Sequence, residues 1–252
     1  MRSQPLPEAA FDDYNVAALW GPPHRYGPAP RHRRRLIRKM VAPLTFDDVL
    51  DAGCAQPFLL QELTAHFGVQ GYGCDISDQV MEASRIDMPG CMFETIDLAY
   101  QTWPDGRQFD LVVCSETLEH IDEWEKALDN LIQMSRRYLL ITVPSGVIRK
   151  VDRAVGHYRH FDLASLRAQL ERRGLTTLQA RLWGFPMHSL YRWAVDKLGS
   201  DAVFDAFASG QDYTRGQRLV SNALYGTFFL NDFFRSGNQL LVLAEKPAAA
   251  QT

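Results

Sequence analysis

Short apolar segments alternate with longer amphipathic segments along the first two thirds of the chain. Strands are predicted at 48–52, 70–74, 91–96, 109–114 and 138–143. Helices are predicted near 57–67, 77–87, 122–135 and 163–173. Strands that are apolar along their whole length are typical of a parallel sheet whose two faces are both covered. The alternation therefore predicts an α/β fold, with helices on both faces of a mostly parallel sheet.

The pattern changes after Gly174. Segments 175–183 and 239–244 predict two more strands, which brings the sheet to seven. The segment 186–236 between them is rich in Phe, Tyr and Trp, and a structureless loop of that length is improbable in a compact domain. We therefore expect a helical insertion before the last strand. Its aromatic side chains either pack as a cap or line a pocket, and 225–234 could form a dimer or membrane-surface contact.

The first 30 residues contain six prolines, a composition that resists regular structure, together with four aromatic residues. This combination predicts an arm that docks on the rest of the chain, followed by a helix at 31–41. We expect an N-terminal arm and helix over 1–44 and a main domain over 45–252, with the cap at 186–236 inside the main domain.

Composition narrows the class of protein. The 252 residues are 46% hydrophobic and carry a formal charge of −3, so bulk charge disfavours nucleic acid as a partner. The basic run 31–39 is the local exception, and a solvated helix face is favoured there over a phosphate-binding surface. The four cysteines form no CxxC pair and are expected to be reduced packing residues. With no apolar run of 18 residues and no N-terminal apolar segment, we expect a cytoplasmic protein.

Small and acidic residues follow the first two strands. Asp51 and Gly53 lie in a turn of small residues, which lets a ligand approach the backbone at the start of a helix. Asp75 ends the second strand, where a carboxylate can accept hydrogen bonds from ribose hydroxyls. A dinucleotide site is disfavoured, because no GxGxxG follows the first strand. The pattern predicts a nucleoside cofactor at the carboxyl edge of the sheet.

Acids and histidines cluster after the fourth and fifth strands. If 116–120 begins a helix, its spacing brings Glu116, Glu119 and His120 to one side. His157 and His160 follow the fifth strand and could reach the same edge. Two carboxylates and imidazoles suit a divalent cation such as Mg²⁺, Mn²⁺ or Zn²⁺. The alternative, left open by the sequence, is that His120 acts as a general base without a metal.

In this order the residues resemble the class I S-adenosylmethionine-dependent methyltransferases, over roughly 45–175 and again in the last strand. The segment 49–54 (Val-Leu-Asp-Ala-Gly-Cys) is similar to the family's first motif, and 96–98 (Ile-Asp-Leu) to its adenine-contacting turn. The resemblance implies a Rossmann-like fold with S-adenosyl-L-methionine as cofactor. Ala55 and Pro57 depart from the family's glycine-rich turn. A left-handed alanine would be strained, whereas proline suits a first helical turn, so we expect a tighter but working pocket.

The Glu-x-x-Glu-His segment, with a later His-x-x-His, resembles two metal-dependent groups: the ubiquinone-pathway and the small-RNA 3′-terminal ribose O-methyltransferases. The resemblance implies the following sets of site residues. Cofactor-binding candidates are Asp51, Gly53, Ala55, Asp75, Ile76, Asp97, Leu98 and Ser115. Catalytic candidates are His120, Glu119 and His157. Metal-ligand candidates are Glu116, Glu119, His120 and His160. Substrate candidates are Tyr14, Tyr26, Tyr158 and Arg159.

The favoured function is O-methylation of a small-molecule hydroxyl, on a natural product, sugar or quinone-like acceptor. The first alternative is an RNA 3′-end ribose methyltransferase that uses the basic run 31–39 for phosphates. The second is a non-catalytic methyltransferase-fold protein that binds a partner through its aromatic surface. A homodimer is compatible with all three.

Overall fold

A seven-stranded sheet forms the centre of the computed structural model, which describes residues 21–198 and 212–247. Its strands are β1 (Asp48–Ala52), β2 (Gln70–Asp75), β3 (Met92–Thr95), β4 (Phe109–Ser115), β5 (Ser135–Pro144), β6 (Thr176–Trp183) and β7 (Gln239–Glu245). They lie in the order β3-β2-β1-β4-β5-β7-β6. The strands β1 to β5 pair in parallel, and β7 is antiparallel to both β5 and β6. The predicted seven-stranded, mostly parallel α/β fold is confirmed.

Eight helices have both ends in the described residues, and residues 21–26 are helical as well, contrary to the expectation that the proline-rich start resists regular structure. The eight helices are α1 (Pro28–Val41), α2 (Phe58–Phe67), α3 (Asp78–Asp87), α4 (Trp124–Met134), α5 (Lys150–Ala154), α6 (Leu163–Arg172), α7 (Met187–Leu198) and α8 (Arg215–Phe228), with 3₁₀ turns at Leu118–His120 and Phe229–Phe233. The side chains of Ser77 and Asp162 cap α3 and α6. α1 begins earlier than predicted because proline is tolerated in the first helical turn. In the described part of the chain, no helix is long and apolar enough to cross a bilayer.

Each face of the sheet has its own hydrophobic core. Because successive strand residues point to opposite faces, Leu50 of β1 packs in one core and Val49 in the other. The core around Leu50 receives α4 and α6, and the core around Val49 receives α1 and α2. Register aligns Ala52 with Cys74 and Cys114, so β1, β2 and β4 end at one edge. All four cysteines are free, as expected.

The basic helix α1 is largely buried, so its interpretation as a solvated face is wrong. His32 is fully buried between Trp183 and Phe228, with ring centroids 5.0 and 5.9 Å away. Arg34 and Arg35 are less than 10% exposed. The sequence misled because the helical insertion supplies partners that charge patterning alone does not reveal: α8 packs along α1, and Asp232 binds Arg35 at 2.6 Å.

Candidate active site

The turn after β1 is held by the backbone of β2. The N–H groups of Gly53 and Cys54 both donate to the carbonyl of Cys74, at 2.8 and 2.9 Å. Gly53 has φ of +73°, and a Cβ on it would overlap the side chain of Thr117, which follows β4. Glycine is therefore required at this position for two reasons: its backbone is left-handed, and a neighbouring turn approaches it closely.

Ala55 adopts the left-handed conformation that the departure from the family motif implies. Its φ is +43°, a region that costs an L-residue roughly 1–2 kcal/mol. Its N–H donates to Oδ2 of Asp75 at 2.9 Å, which offsets part of that cost. Pro57 directly precedes α2, where its missing N–H is not needed. The altered turn therefore keeps its contact with the acid at the end of β2.

Two carboxylates lie close together at this edge of the sheet. Asp75 accepts the N–H groups of Ala55 and Ser77, and burial raises its pKa despite these bonds. Asp51 is 2% exposed, and burial, followed by the charge of Asp75, raises its pKa to about 7. Ile76 exposes half of its side chain directly after Asp75. An acid beside an uncovered apolar side chain suits a ribose and its base.

The remaining cofactor candidates divide into surface and core positions. Asp97 is half-buried and its Oδ1 accepts the N–H of Ala99 at 2.9 Å. Ser115 shares a 2.9 Å hydrogen bond with the hydroxyl of Thr142. Leu98 is 4% exposed and packs in the core, so its side chain is a scaffold rather than a contact surface. The glycine cradle, the acids and the exposed Ile76 fit S-adenosylmethionine.

Glu116 departs from the predicted arrangement. The expected helix across 116–120 does not form: Glu116 has φ of +56°, and the 3₁₀ turn begins only at Leu118. The carboxylate of Glu116 instead accepts Arg33 at 3.0 Å and the hydroxyl of Thr142 at 3.1 Å. With its amide nitrogen turned toward this carboxylate, Gln239 donates to it at 3.0 Å. The left-handed residue sends this side chain toward α1, so it is a poor candidate for the predicted metal set.

Glu119, His120 and His157 do meet, and we name these three residues the lone-pair cluster. Their ligand-type atoms lie within 4.8 Å of one another. Glu119 is fully buried, and neither of its carboxylate oxygens has a hydrogen-bond partner in the described structure. Nδ1 of His120 is likewise buried without a partner. Burial raises the pKa of Glu119 well above its usual range and lowers that of His120 to about 4.

Hydrogen-bond partners assign the tautomers of the two later histidines. The carbonyl of Gly146 can only accept, so Nδ1 of His160 donates to it at 3.2 Å and Nε2 of the same ring carries a lone pair. That lone pair accepts from Nδ1 of His157 at 3.1 Å. Nε2 of His157 is then unprotonated, and burial lowers the pKa of this ring to about 3. His157, rather than the predicted His160, is the histidine that joins Glu119 and His120, although His160 forms a second group with His157 and Asp152.

Asp152 and Arg192 support the histidines, and neither was singled out from the sequence. Asp152 is 4% exposed and accepts Arg192 at 2.6 Å and the N–H of Arg149 at 2.7 Å. Its backbone carbonyl accepts the N–H of His157 at 3.0 Å, which holds this histidine in place. Because Arg192 belongs to α7, the insertion helps to position the loop after β5. No local motif signals such a long-range pair.

The substrate candidates have different surroundings. Tyr158 is 45% exposed, and its N–H donates to the carbonyl of Glu119 at 2.9 Å, which places it beside the lone-pair cluster. Arg159 donates to the carbonyls of Ile121 and Asp122, so it fastens the turn after β4 and is not a free clamp. Tyr26 stacks on Tyr213, with ring centroids 5.2 Å apart. Tyr14 lies outside the described residues.

Comparisons with known proteins agree with this geometry. Residues 25–180 match the family model described as "Methyltransferase domain". The trans-aconitate 2-methyltransferase of Rhizobium rhizogenes is 32% identical over 107 residues, 39% of this chain and 41% of that protein. A ubiquinone biosynthesis O-methyltransferase of Coxiella burnetii is 26% identical over 129 residues, 49% of this chain and 52% of that protein. The chain therefore spans about half the length of these relatives.

A solved structure extends the match to the whole fold. The N-methyltransferase NodS of Bradyrhizobium japonicum, in complex with S-adenosylhomocysteine, has 15% sequence identity and a TM-score of 0.57. The match covers 93% of this chain and 100% of that one. A likeness at this identity concerns the fold, while the family match covers well over half of the chain. On the sheet order, the glycine turn with its acids and the family match, this chain belongs to the class I S-adenosylmethionine-dependent methyltransferases.

Proposed function

We propose that this protein methylates a hydroxyl oxygen of a small-molecule acceptor, and that the lone-pair cluster holds a divalent cation that would lower the pKa of this hydroxyl, so that its proton passes to solvent. The observation that carries the proposal is the buried carboxylate of Glu119, which has no hydrogen-bond partner in the described residues and lies within 4.8 Å of nitrogens of His120 and His157. The Coxiella relative is a ubiquinone biosynthesis O-methyltransferase, and this likeness supports the choice of oxygen.

Electrostatics favour a cation at the cluster. A buried carboxylate without a partner costs several kcal/mol, and it is relieved by a proton or a positive ion. His120 and His157 contribute unprotonated nitrogens and no positive charge. Two imidazoles and one carboxylate suit Zn²⁺ or Mn²⁺ better than Mg²⁺, which prefers oxygen ligands. When bound, such an ion lowers the pKa of a neighbouring hydroxyl.

The cluster and the cofactor turn belong to one edge of the sheet. Thr117 lies one residue before the 3₁₀ turn that carries Glu119 and His120, and its side chain contacts Gly53. When bound, S-adenosylmethionine supplies a methyl group on a strongly electrophilic sulfonium. The residues at this edge therefore have two tasks, to orient the acceptor oxygen in line with the methyl group and to hold the cation that favours loss of its proton.

The RNA alternative loses its main support. Arg33, Arg34 and Arg35 are paired with Glu116, Glu62 and Asp232 respectively, at 2.6–3.0 Å. Charges that are already neutralised by carboxylates release few counterions on binding a phosphate backbone. A small acceptor beside the exposed Tyr158 is the better match to the edge.

Metal titration tests the proposal directly. We expect calorimetry to show Zn²⁺ or Mn²⁺ binding to the wild type, with affinity falling at least 100-fold in Glu119→Gln and His157→Ala, because each removes a ligand. Glu116→Gln is the matched control, since Glu116 belongs to the same segment but pairs with Arg33. It is expected to bind the metal as the wild type does.

The same variants are then assayed with the cofactor and a panel of phenols, catechols and hydroxy acids. S-adenosylhomocysteine release is expected from the metal-loaded wild type and not from Glu119→Gln. An equal loss of metal affinity in Glu116→Gln and Glu119→Gln would refute the assignment of the cluster. Turnover that survives in Glu119→Gln would refute the role of the cation in the loss of the hydroxyl proton.

A further inference from the structure

A cationic cavity lies on the other side of α1 from the proposed reaction site. It has a volume of about 330 Å³ and is enclosed by α1, α2, α8 and the segment before α1. Its wall carries the guanidinium groups of Arg25, Arg31, Arg34 and Arg218 and the carboxylate of Glu62, and Asp212 lies beside Arg218 and near Arg25. The volume of the cavity is within the range of small-molecule sites, and its excess of positive charge favours binding of an anion.

Two of the four arginines are structural. Arg34 donates to Glu62 at 2.7 Å and to the carbonyls of His24 and Arg25 at 2.6 and 3.3 Å, so it holds the preceding segment in place. Arg218 donates to Asp212 at 2.6 Å, a pair that is exposed to solvent. These contacts hold the wall of the cavity in place, and they pair the nearby carboxylates of Glu62 and Asp212 with Arg34 and Arg218.

The other two arginines have no carboxylate within 4.0 Å in the described residues, although Asp212 is close enough for the charge of Arg25 to lower its pKa. Arg31 donates to the amide oxygen of Asn222 at 2.8 Å and lies 4.0 Å from the ring of Tyr225. Arg25 is exposed, and its guanidinium lies 5.5 and 6.0 Å from the rings of Tyr26 and Phe58. Guanidinium groups that are oriented by aromatic rings and a neutral amide keep N–H donors available for an oxyanion.

Aromatic side chains complete the cavity. Tyr26 stacks on Tyr213 with ring centroids 5.2 Å apart, and Phe58 at the start of α2 also lines the cavity. A second cavity of about 400 Å³ shares Arg25 and Phe58 and extends to Pro57, just after the cofactor turn. The combined groove therefore offers a charged end and a partly apolar end.

We propose that this cavity binds a small organic oxyanion, a phosphate monoester or a carboxylate, through Arg25 and Arg31, with the body of the ligand against Tyr26 and Phe58. The site is separate from the lone-pair cluster: Arg31 and Arg34 line the cavity, while Arg33 of the same helix reaches Glu116 on another side. The inference does not depend on the proposed hydroxyl chemistry.

Calorimetry with phenyl phosphate, benzoate and phenol tests the proposal. We expect phenyl phosphate or benzoate to bind and to weaken as salt is raised, whereas phenol, which lacks the charge, binds at least tenfold more weakly. Comparing phenyl phosphate with benzoate distinguishes the two oxyanions. The Arg25→Gln/Arg31→Gln double variant is expected to lose binding at least tenfold. Arg215→Gln, an exposed arginine on α8 outside the cavity, is the matched control and keeps it.

Affinity for S-adenosylhomocysteine is measured on every variant and is expected to be unchanged, which separates this site from the cofactor edge. Three outcomes would overturn the proposal: no binding of either anion, equal losses in Arg215→Gln and the double variant, or displacement of the anion by S-adenosylhomocysteine. Failure of the metal titration at Glu119 would leave these expectations intact, because no residue is shared between the two tests.

Discussion

The cofactor turn and the lone-pair cluster lie at the same edge of the sheet but satisfy their polar groups in opposite ways. In the turn, Gly53 and Cys54 donate to a strand carbonyl, and Asp75 accepts two backbone N–H groups. In the cluster, Glu119 and Nδ1 of His120 have no partner in the described structure. The polar groups of the turn are satisfied within the protein, so its conformation is fixed before any ligand binds. The buried polar groups of the cluster lack partners, so we expect them to gain partners from a bound ligand.

The two acids of the turn after β4 show the same contrast at closer range. Glu116 is surrounded by donors from Arg33, Thr142 and Gln239. Glu119, three residues later, is buried among histidines that carry lone pairs. Acids three residues apart in one motif can therefore have different surroundings: Glu116 links this turn to α1, whereas the carboxylate of Glu119 has no partner in the described residues.

The largest expected effect is a loss of stability when the turn after β1 is disrupted. Gly53→Ala places a Cβ against Thr117 at φ of +73°, and we expect a loss of stability of about 3 kcal/mol from left-handed strain plus overpacking. Gly106→Ala is the matched control: its φ is +72° and no atom lies within 4 Å of the added Cβ. It should lose only about 1 kcal/mol. Urea unfolding measures both, and equal losses would mean that the contact with Thr117 carries no weight.

A smaller effect concerns the acid that the turn holds. Asp75→Ala is expected to weaken S-adenosylhomocysteine binding about 100-fold, because charge-assisted hydrogen bonds to the ribose hydroxyls are lost. Asp87→Ala, an exposed aspartate at the end of α3, is the control and should bind normally. Asp75→Asn retains one acceptor oxygen, so its affinity for S-adenosylhomocysteine should lie between those of Asp75→Ala and Asp87→Ala. Calorimetry that gave the same affinity for Asp75→Ala and Asp87→Ala would remove Asp75 from the cofactor site.

The smallest expected effect is a gain of stability when the left-handed Ala55 in the same turn is replaced by glycine. Ala55→Gly relieves a left-handed alanine at φ of +43°, and the gain is reduced by the chain entropy of glycine. We expect a stabilisation below about 1 kcal/mol, measured by thermal or urea unfolding. Ala223→Gly, on the exposed face of α8, should change stability in the opposite direction by about 1 kcal/mol. If both variants lost stability alike, Ala55 would not be strained.

Structural features that depend on the local chain pattern were predicted well. The strands, the glycine turn and the acid ending β2 follow from apolar periodicity and from what a turn requires of its residues. The positions that misled were those set by distant partners. Glu116 was expected to converge with Glu119, yet a single left-handed residue turns it toward Arg33 of α1. The basic run 31–39 was expected to be solvated, yet it pairs with acids from α2, the turn after β4 and the insertion.

The sequence by itself determined the α/β architecture, the parallel sheet edge and the position of the glycine turn after β1, because these depend on periodicity and on residues within one βαβ connection. Only the tertiary structure decided which side chains share an environment. The choice of His157 over His160, the support from Asp152 and Arg192, and the cavity at Arg25 and Arg31 all join segments that are far apart in the chain. Such contacts depend on burial and on the direction of each side chain, and neither is encoded in local spacing.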